Sequence, residues 1–221
     1  MAAHLATVAA ALQRFACAPY AVQMSGQAQD GSGQAAGAAV PWLRFSEVAL
    51  ERGGRLLFEG LDFAVGPGEA LHVAGPNGSG KSSLIRLAAG LLRATVGEVE
   101  RAPAALADDS LALDRELPLG RALAFWASEV EPAMAALGIG HLAEVPVRLL
   151  SSGQQKRATL ARVAASGAPL WLLDEPLNAL DAEGAERLAA LVRSHRQAGG
   201  GVVAASHQPL PGEWTVLELG R

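Results

Sequence analysis

Along the chain from Trp42, apolar residues first recur at roughly every second position. Leu43, Phe45 and Val48 are followed by Leu61, Phe63 and Val65, which end at the turn Gly66-Pro67-Gly68. That spacing predicts strands with one buried face, arranged as an antiparallel β layer. Three later segments are apolar without alternation: Ala70-Leu71-His72-Val73-Ala74, Leu170-Trp171-Leu172-Leu173 and Val202-Val203-Ala204-Ala205. Short continuous runs that end in polar residues are the pattern of strands buried on both faces of a parallel sheet. A helical period is expected over Ser83 to Leu92, Ser152 to Ala165 and Glu183 to Gln197, with a shorter helical region from Leu119 to Leu137. The chain therefore reads as α/β, with an antiparallel β layer and a reduced helical subdomain at about residues 115–165.

Residues 25–40 are almost wholly Ser, Gly, Gln, Ala and Asp. Such a segment buries too little surface to offset the entropy of ordering it. Residues 1–40 are expected to be a disordered Ala/Gly/Gln-rich tail, and residues 41–221 the folded domain. Met1 to Cys17 is Ala-rich but lacks a basic leader, so it is not expected to be a signal peptide. No apolar run reaches 18 residues, so any membrane role requires a partner.

The candidate chemistry begins at Gly75-Pro76-Asn77-Gly78-Ser79-Gly80-Lys81-Ser82, which fits G-x-x-x-x-G-K-[ST] between a predicted strand and a predicted helix. Glycines let the backbone turn its N–H groups inward, and the following helix adds the positive end of its dipole, so the loop cradles phosphates. Lys81 is placed to reach the β- and γ-phosphates, with Ser83 beside it, and Ser82 to hold Mg²⁺. The motif is that of a P-loop nucleotide-triphosphate-binding protein, with a nucleoside triphosphate and Mg²⁺ as the expected ligands. At the end of the Leu170–Leu173 run come Asp174 and Glu175, at the strand end where ligands sit in open parallel sheets. Asp174 is the second metal candidate and Glu175 the candidate base for an attacking water. An Asp-Glu pair after a strand is otherwise an ordinary helix start.

Leu150-Ser151-Ser152-Gly153-Gln154 opens a helix 23 residues before Asp174, and Ser151 alone would be an ordinary N-cap. With Arg157, Ala161 and Arg162 further along, this segment resembles the Leu-Ser-Gly-Gly-Gln signature of the ATP-binding cassette (ABC) family, Ser152 replacing the first glycine. Asn178-Ala179-Leu180-Asp181 resembles the family's D-loop, and His207, 33 residues after Asp174, stands where its switch histidine belongs. The resemblance covers roughly Trp42 to Arg221. It implies that two such domains meet head to tail, with Ser151, Ser152, Gly153 and Gln154 of one facing the ATP of the other. Asp181 would line that junction, and Glu175 and His207 would act on the γ-phosphate. It implies a homodimer, or a pairing with a homologous copy, and integral membrane permease subunits.

Two features depart from the family pattern. No Gln occurs between Gln34 and Gln154, so the family's Q-loop glutamine is missing and Asp109 or Ser110 stands nearest its place. The position where the family often stacks an aromatic ring on adenine holds Arg52, whose planar guanidinium suits the same stacking.

Ser206-His207-Gln208-Pro209-Leu210 and the small size resemble the family's heme-exporting ATPases of cytochrome c maturation. That branch implies heme-exporter membrane proteins as partners and a peripheral position on the cytoplasmic face of a bacterial inner membrane. Two alternatives are the ATPase of another exporter, for lipid, drug or peptide, and a soluble cassette protein acting on DNA or ribosomes. A formal net charge of −4 and the lack of basic stretches argue against a nucleic-acid partner. Cys17, His4 and His72 form no recognisable heme-ligand arrangement, and a lone cysteine fits a reducing compartment.

Overall fold

The computed structural model describes residues 40–220. The expected tail therefore lies outside the described residues except for Val40, as do Cys17 and His4.

Strands β1 (Leu43–Arg52) and β2 (Arg55–Val65) form an antiparallel hairpin across Gly53-Gly54, and β4 (Val96–Arg101) pairs antiparallel with the other edge of β1. In β1 the buried positions change parity, from Leu43 and Phe45 to Val48 and Leu50. The pairing register slips between Phe45 and Val48, and Glu47 takes a positive φ of 49° there. This bulge absorbs the extra residue, so all four side chains still face the core. Phe45 stacks on Phe63 across the hairpin at 4.5 Å between centroids.

The second sheet has the order β5-β6-β7-β3-β8, all neighbours parallel. It comprises β3 (Ala70–Ala74), β5 (Ala104–Ala107), β6 (Leu170–Asp174), β7 (Gly201–Ala205) and β8 (Thr215–Glu218). Alternation along its central strands fills two cores at once. Trp171, Leu173, Val202 and Ala204 belong to one, together with Leu119, Met134, Leu160 and Leu188 from the helices. Leu170, Leu172, Val203 and Ala205 belong to the other, with Leu84 and Ile85 and with Leu43 and Phe45 of the antiparallel layer.

Among the described residues five α-helices complete the fold: α1 (Lys81–Ala88), α2 (Leu119–Ala124), α3 (Glu131–Ala136), α4 (Ser152–Ala165) and α5 (Ala182–Gln197). Helix α1 begins two residues before the expected Ser83 and stops at Ala88 rather than Leu92. Its backbone passes through a left-handed Gly80 (φ 102°) at the start and Gly90 (φ 76°) at the end. The single helical region expected over Leu119–Leu137 is two short helices, the second with Pro at its first turn. Among the described residues no helix is long and apolar enough to cross a membrane.

Candidate functional site

The P-loop, the Asp174-Glu175 pair and the Ser206-His207 turn all leave the C-terminal ends of neighbouring strands β3, β6 and β7. In an open parallel sheet this edge is where ligands bind. The loop between β3 and α1 is tight enough to exclude a side chain at Gly75. With φ at 148°, a Cβ there would fall 2.5 Å from the Leu219 carbonyl oxygen and 2.8 Å from Ser79 Oγ. Lys81, buried in the first turn of α1, curls back so that its Nζ donates to the carbonyls of Gly75 at 2.8 Å and Pro76 at 3.0 Å. An ammonium held against two carbonyls at the rim of the loop has its third donor to spare for a phosphate oxygen.

One residue on, Ser82 Oγ donates to Asp174 Oδ1 at 3.0 Å. The Asp174 carboxyl is buried, and burial is the main reason its pKa is raised above the usual carboxylate range. The Ser82 hydrogen bond and the positive charge of Arg86 oppose the rise, while Asp109 and Glu175 add to it. A hydroxyl and a carboxylate side by side are hard oxygen donors of the kind Mg²⁺ takes, so the donor set fits that ion.

Glu175 has a left-handed φ of 45°, uncommon for a residue with a side chain. Its N–H donates to the Ala205 carbonyl at 2.8 Å. Its carboxylate accepts from His207 Nδ1 at 2.9 Å. The other ring nitrogen, Nε2, faces the Gln208 side-chain nitrogen at 3.2 Å. An amide nitrogen only donates, so in this arrangement Nε2 accepts and Nδ1 carries the proton. The turn is further held by Ser206 N–H on the Val73 carbonyl, by Gln208 N–H on Ser206 Oγ, and by the buried His72, whose Nε2 lies 3.2 Å from the Ser206 carbonyl.

These residues enclose a cleft of about 560 Å³, lined by Asn77, Gly78, Gly80, Lys81, Ser82 and Ser83 on one side and by Glu175, Asn178 and His207 on the other. Arg52 also lines it, beside Leu57. Leu57 has no counterpart in the sequence reading. It lies three residues past the hairpin turn, in β2, and nothing in the spacing marks it as facing a ligand. Gly75, Pro76 and Ser79 form the base of the loop rather than the cleft wall, and Asp174 lies behind Ser82.

The signature residues lie elsewhere. Ser151, Gly153 and Gln154 line a second cleft of about 370 Å³, together with Arg157 and Asp181. Ser151 is the N-cap of α4 in a full capping box. Its Oγ accepts from Gln154 N–H at 3.3 Å, and its own N–H donates to Gln154 Oε1 at 2.9 Å. The cap uses the hydroxyl as an acceptor and leaves its proton free to donate outward. Gly153 packs so closely on the D-loop that an added Cβ would be 2.8 Å from the Ala179 carbonyl oxygen. Asp181 caps α5 through Gly184 N–H at 2.9 Å and pairs with Arg157 of α4, and these two contacts hold its carboxyl below the usual range. Ser152 lines a different hollow, beside Asp108, Asp109 and Lys156, and so stands apart from the other three signature residues.

A protein-family model described as ABC transporter matches residues 58–178, more than half of the chain. The chain belongs to the ABC transporter family. Among its relatives, this ABC family member is 56% identical over 169 residues to the cytochrome c biogenesis ATP-binding export protein CcmA of Novosphingobium aromaticivorans, covering 75% of this chain and 88% of the relative. It is 53% identical to the protein of the same name from Sphingopyxis alaskensis, covering 75% and 89%. Among solved structures, an ABC transporter ATP-binding protein from Pyrococcus furiosus is similar with a TM-score of 0.72 at 19% identity, covering 80% of this chain and 96% of that one. The structure of an ATP-binding subunit of an ABC transporter is similar with a TM-score of 0.68 at 20% identity, covering 75% and 79%. The fold is thus that of the ABC ATP-binding subunits, and the protein is an ATP-binding member that resembles CcmA.

Proposed function

We propose that this protein is the ATP-hydrolysing subunit of an exporter serving cytochrome c biogenesis, with heme as the group the system handles. The observation that carries this reading is the 56% identity to a cytochrome c biogenesis ATP-binding export protein over 88% of that protein's length. The two clefts support a working unit of two copies, since one chain holds a P-loop cleft and a signature cleft at separate places.

In this mechanism Lys81 and the P-loop amides bind the triphosphate, and Arg52 stacks on the base. Ser82 and Asp174 would hold Mg²⁺, which would supply neutralisation of the triphosphate's charge. Glu175 takes the proton of the attacking water, and His207, held by the Glu175 carboxylate, meets the γ-phosphate with Nε2 once that nitrogen is protonated and exchanges Gln208 for the phosphate. Ser151 and the amides at the start of α4 close over the nucleotide of the second copy, with Asp181 at the junction. ATP binding then favours the closed dimer, because the nucleotide interacts with both copies only in that state. Its loss on hydrolysis reopens it. Membrane-embedded permease subunits convert the cycle into export, with this subunit peripheral on the cytoplasmic face of the inner membrane; no nucleic acid takes part.

The test is purification of the intact complex in mild detergent, with mass spectrometry of the co-purifying subunits and a scan for a heme absorbance band. Cytochrome c biogenesis membrane proteins and bound heme are the expected result. A permease of another class would overturn the heme reading and leave the ATPase standing.

A further inference from the structure

Lys156 is buried in α4 and faces away from the signature cleft, into the space between the helix and the ends of β5 and β6. Its Nζ donates to the carbonyl oxygen of Asp174 at 3.2 Å. That carbonyl belongs to the peptide joining Asp174 to Glu175, whose N–H is bonded to Ala205 of β7. Both polar groups of this one peptide are therefore tied, one to the sheet and one to the helix. The peptide leads directly into the left-handed φ of Glu175. A non-glycine residue keeps such a conformation only where its surroundings over-determine it.

A neutral amide would suffice to hold a carbonyl, and burying an ammonium is costly. Burial does pull the Lys156 pKa below its ordinary value, against the charges of Asp109, Asp174, Glu175 and Asp108. With these four carboxylates around it, the cation offsets repulsion where the sheet edge concentrates negative charge.

We propose that Lys156 is a positioning residue for Glu175. It fixes the Asp174–Glu175 peptide so that the Glu175 carboxylate points at His207 and the nucleotide cleft. It also ties that setting to the placement of α4. Ser151, which caps α4, lies five residues from Lys156. A shift of α4 when Ser151 meets the second copy's nucleotide would thus be felt at the base of its own cleft. The inference rests on the reading of Glu175 as base and of Ser151 as a contact across the dimer.

The experiment is single-turnover and steady-state ATP hydrolysis by the full-length chain carrying Lys156→Met, Lys156→Gln or Lys156→Arg, each alone and combined with Glu175→Gln. Lys156→Met should lower kcat about 10- to 100-fold, the size expected for displacing a catalytic group by about 1 Å. KM for ATP and affinity for a non-hydrolysable analogue should be unchanged. Lys156→Arg should restore most of the rate and Lys156→Gln part of it, and Lys156→Met should cost nothing further once Glu175 is Gln. A wild-type kcat in Lys156→Met, or an equal loss in the Glu175→Gln background, overturns the proposal. Should Lys156→Met fail to fold, the same cycle is read from Lys156→Gln. If Glu175→Gln alone hydrolyses ATP at the wild-type rate, the reading of Glu175 fails instead, and the two failures are thereby told apart.

Discussion

In the P-loop cleft the reacting groups are engaged with one another within the chain: Ser82 on Asp174, His207 on Glu175, and Lys81 on the loop's own carbonyls. In the signature cleft Ser151 and Gln154 are bonded to each other by a helix cap, and what they offer outward is a hydroxyl proton and the amides of a helix start. In the proposed function the first arrangement receives the triphosphate and the water. The second offers donors for a phosphate, and its one carboxylate, Asp181, is engaged in capping α5 and in pairing with Arg157. In the proposed function the two clefts are unequal halves of one site, and a second copy completes it.

The largest effect that would test this asymmetry is at Glu175. Glu175→Gln keeps the side chain's size and its contact to His207 while removing the proton acceptor, and it should cut hydrolysis by about 10²- to 10⁴-fold. ATP binding should persist, and size-exclusion with ATP should show a trapped dimer. A variant that stays monomeric with ATP would break the comparison, since the signature cleft would then have no nucleotide to meet.

Next in size is Gly153→Ala, which acts on the other cleft. The new methyl would press on the Ala179 carbonyl, a backbone atom unable to move aside freely, and push the start of α4 away from the D-loop. Nucleotide binding to the isolated chain should be unaffected. The ATP-driven dimer should be lost and steady-state hydrolysis should fall about 10- to 100-fold, as for a 1 Å misplacement. If Gly153→Ala weakened binding of ATP to the monomer as well, the two clefts would not be separable.

How much of this could be read from the residues differs along the chain in a way that follows from physics. The P-loop and the strands β3, β6 and β7 were plain, because buried parallel strands are continuous apolar runs and the phosphate loop needs glycines at fixed offsets. Strand β4 was not, since Val96–Arg101 is almost wholly exposed and carries Glu, Glu and Arg. Strands β5 and β8 are four residues each, too short to show a period. The break between α2 and α3 was also missed, although Pro132 marks it. At the site, Asn77, Gly78, Gly80, Lys81, Ser82, Ser83, Glu175 and His207 line one cleft and Arg52 joins them there, whereas Gly75, Pro76, Ser79 and Asp174 are not in its wall. Lys156 was invisible for a different reason: its partners are brought to it by β5 and β6, and a lone Lys inside a helical period reads as a solvated surface residue.

A smaller effect belongs to neither cleft and sharpens the comparison by keeping stability apart from catalysis. His195 lies near the far end of α5, its ring stacked on Trp171 at 3.8 Å, and burial lowers its pKa from 6.5 to about 4. The unfolded chain takes up this proton near pH 6.5 and the native one only near 4. The stability from the neutral ring is thus complete above pH 6.5 and lost as pH falls toward 4, by about 2 kcal/mol at pH 5. Asp174 acts with the opposite sign, because a raised carboxyl pKa favours the native state as it protonates. Comparing urea midpoints of the wild type and His195→Phe at pH 7.5 and 5 isolates the histidine, and the variant should lose about 2 kcal/mol less over that interval. Parallel slopes for the two proteins would refute the assignment.

The smallest effect tests whether the cap and the outward contact of Ser151 are two functions of one side chain. Ser151→Ala removes the acceptor that serves Gln154 N–H and should cost about 1 kcal/mol of stability. Ser151→Asp keeps an equally good cap, so its stability should stay near wild type. Its carboxylate, however, donates no hydrogen bond and repels a phosphate. Both variants should bind ATP as monomers like the wild type. If the hydroxyl proton meets the second copy's nucleotide, Ser151→Asp should abolish the ATP-driven dimer, whereas Ser151→Ala should weaken it less, because the helix-start amides remain and no repulsion is added. A Ser151→Asp protein that dimerised normally with ATP would reduce Ser151 to a cap and place the whole burden of the signature cleft on backbone amides.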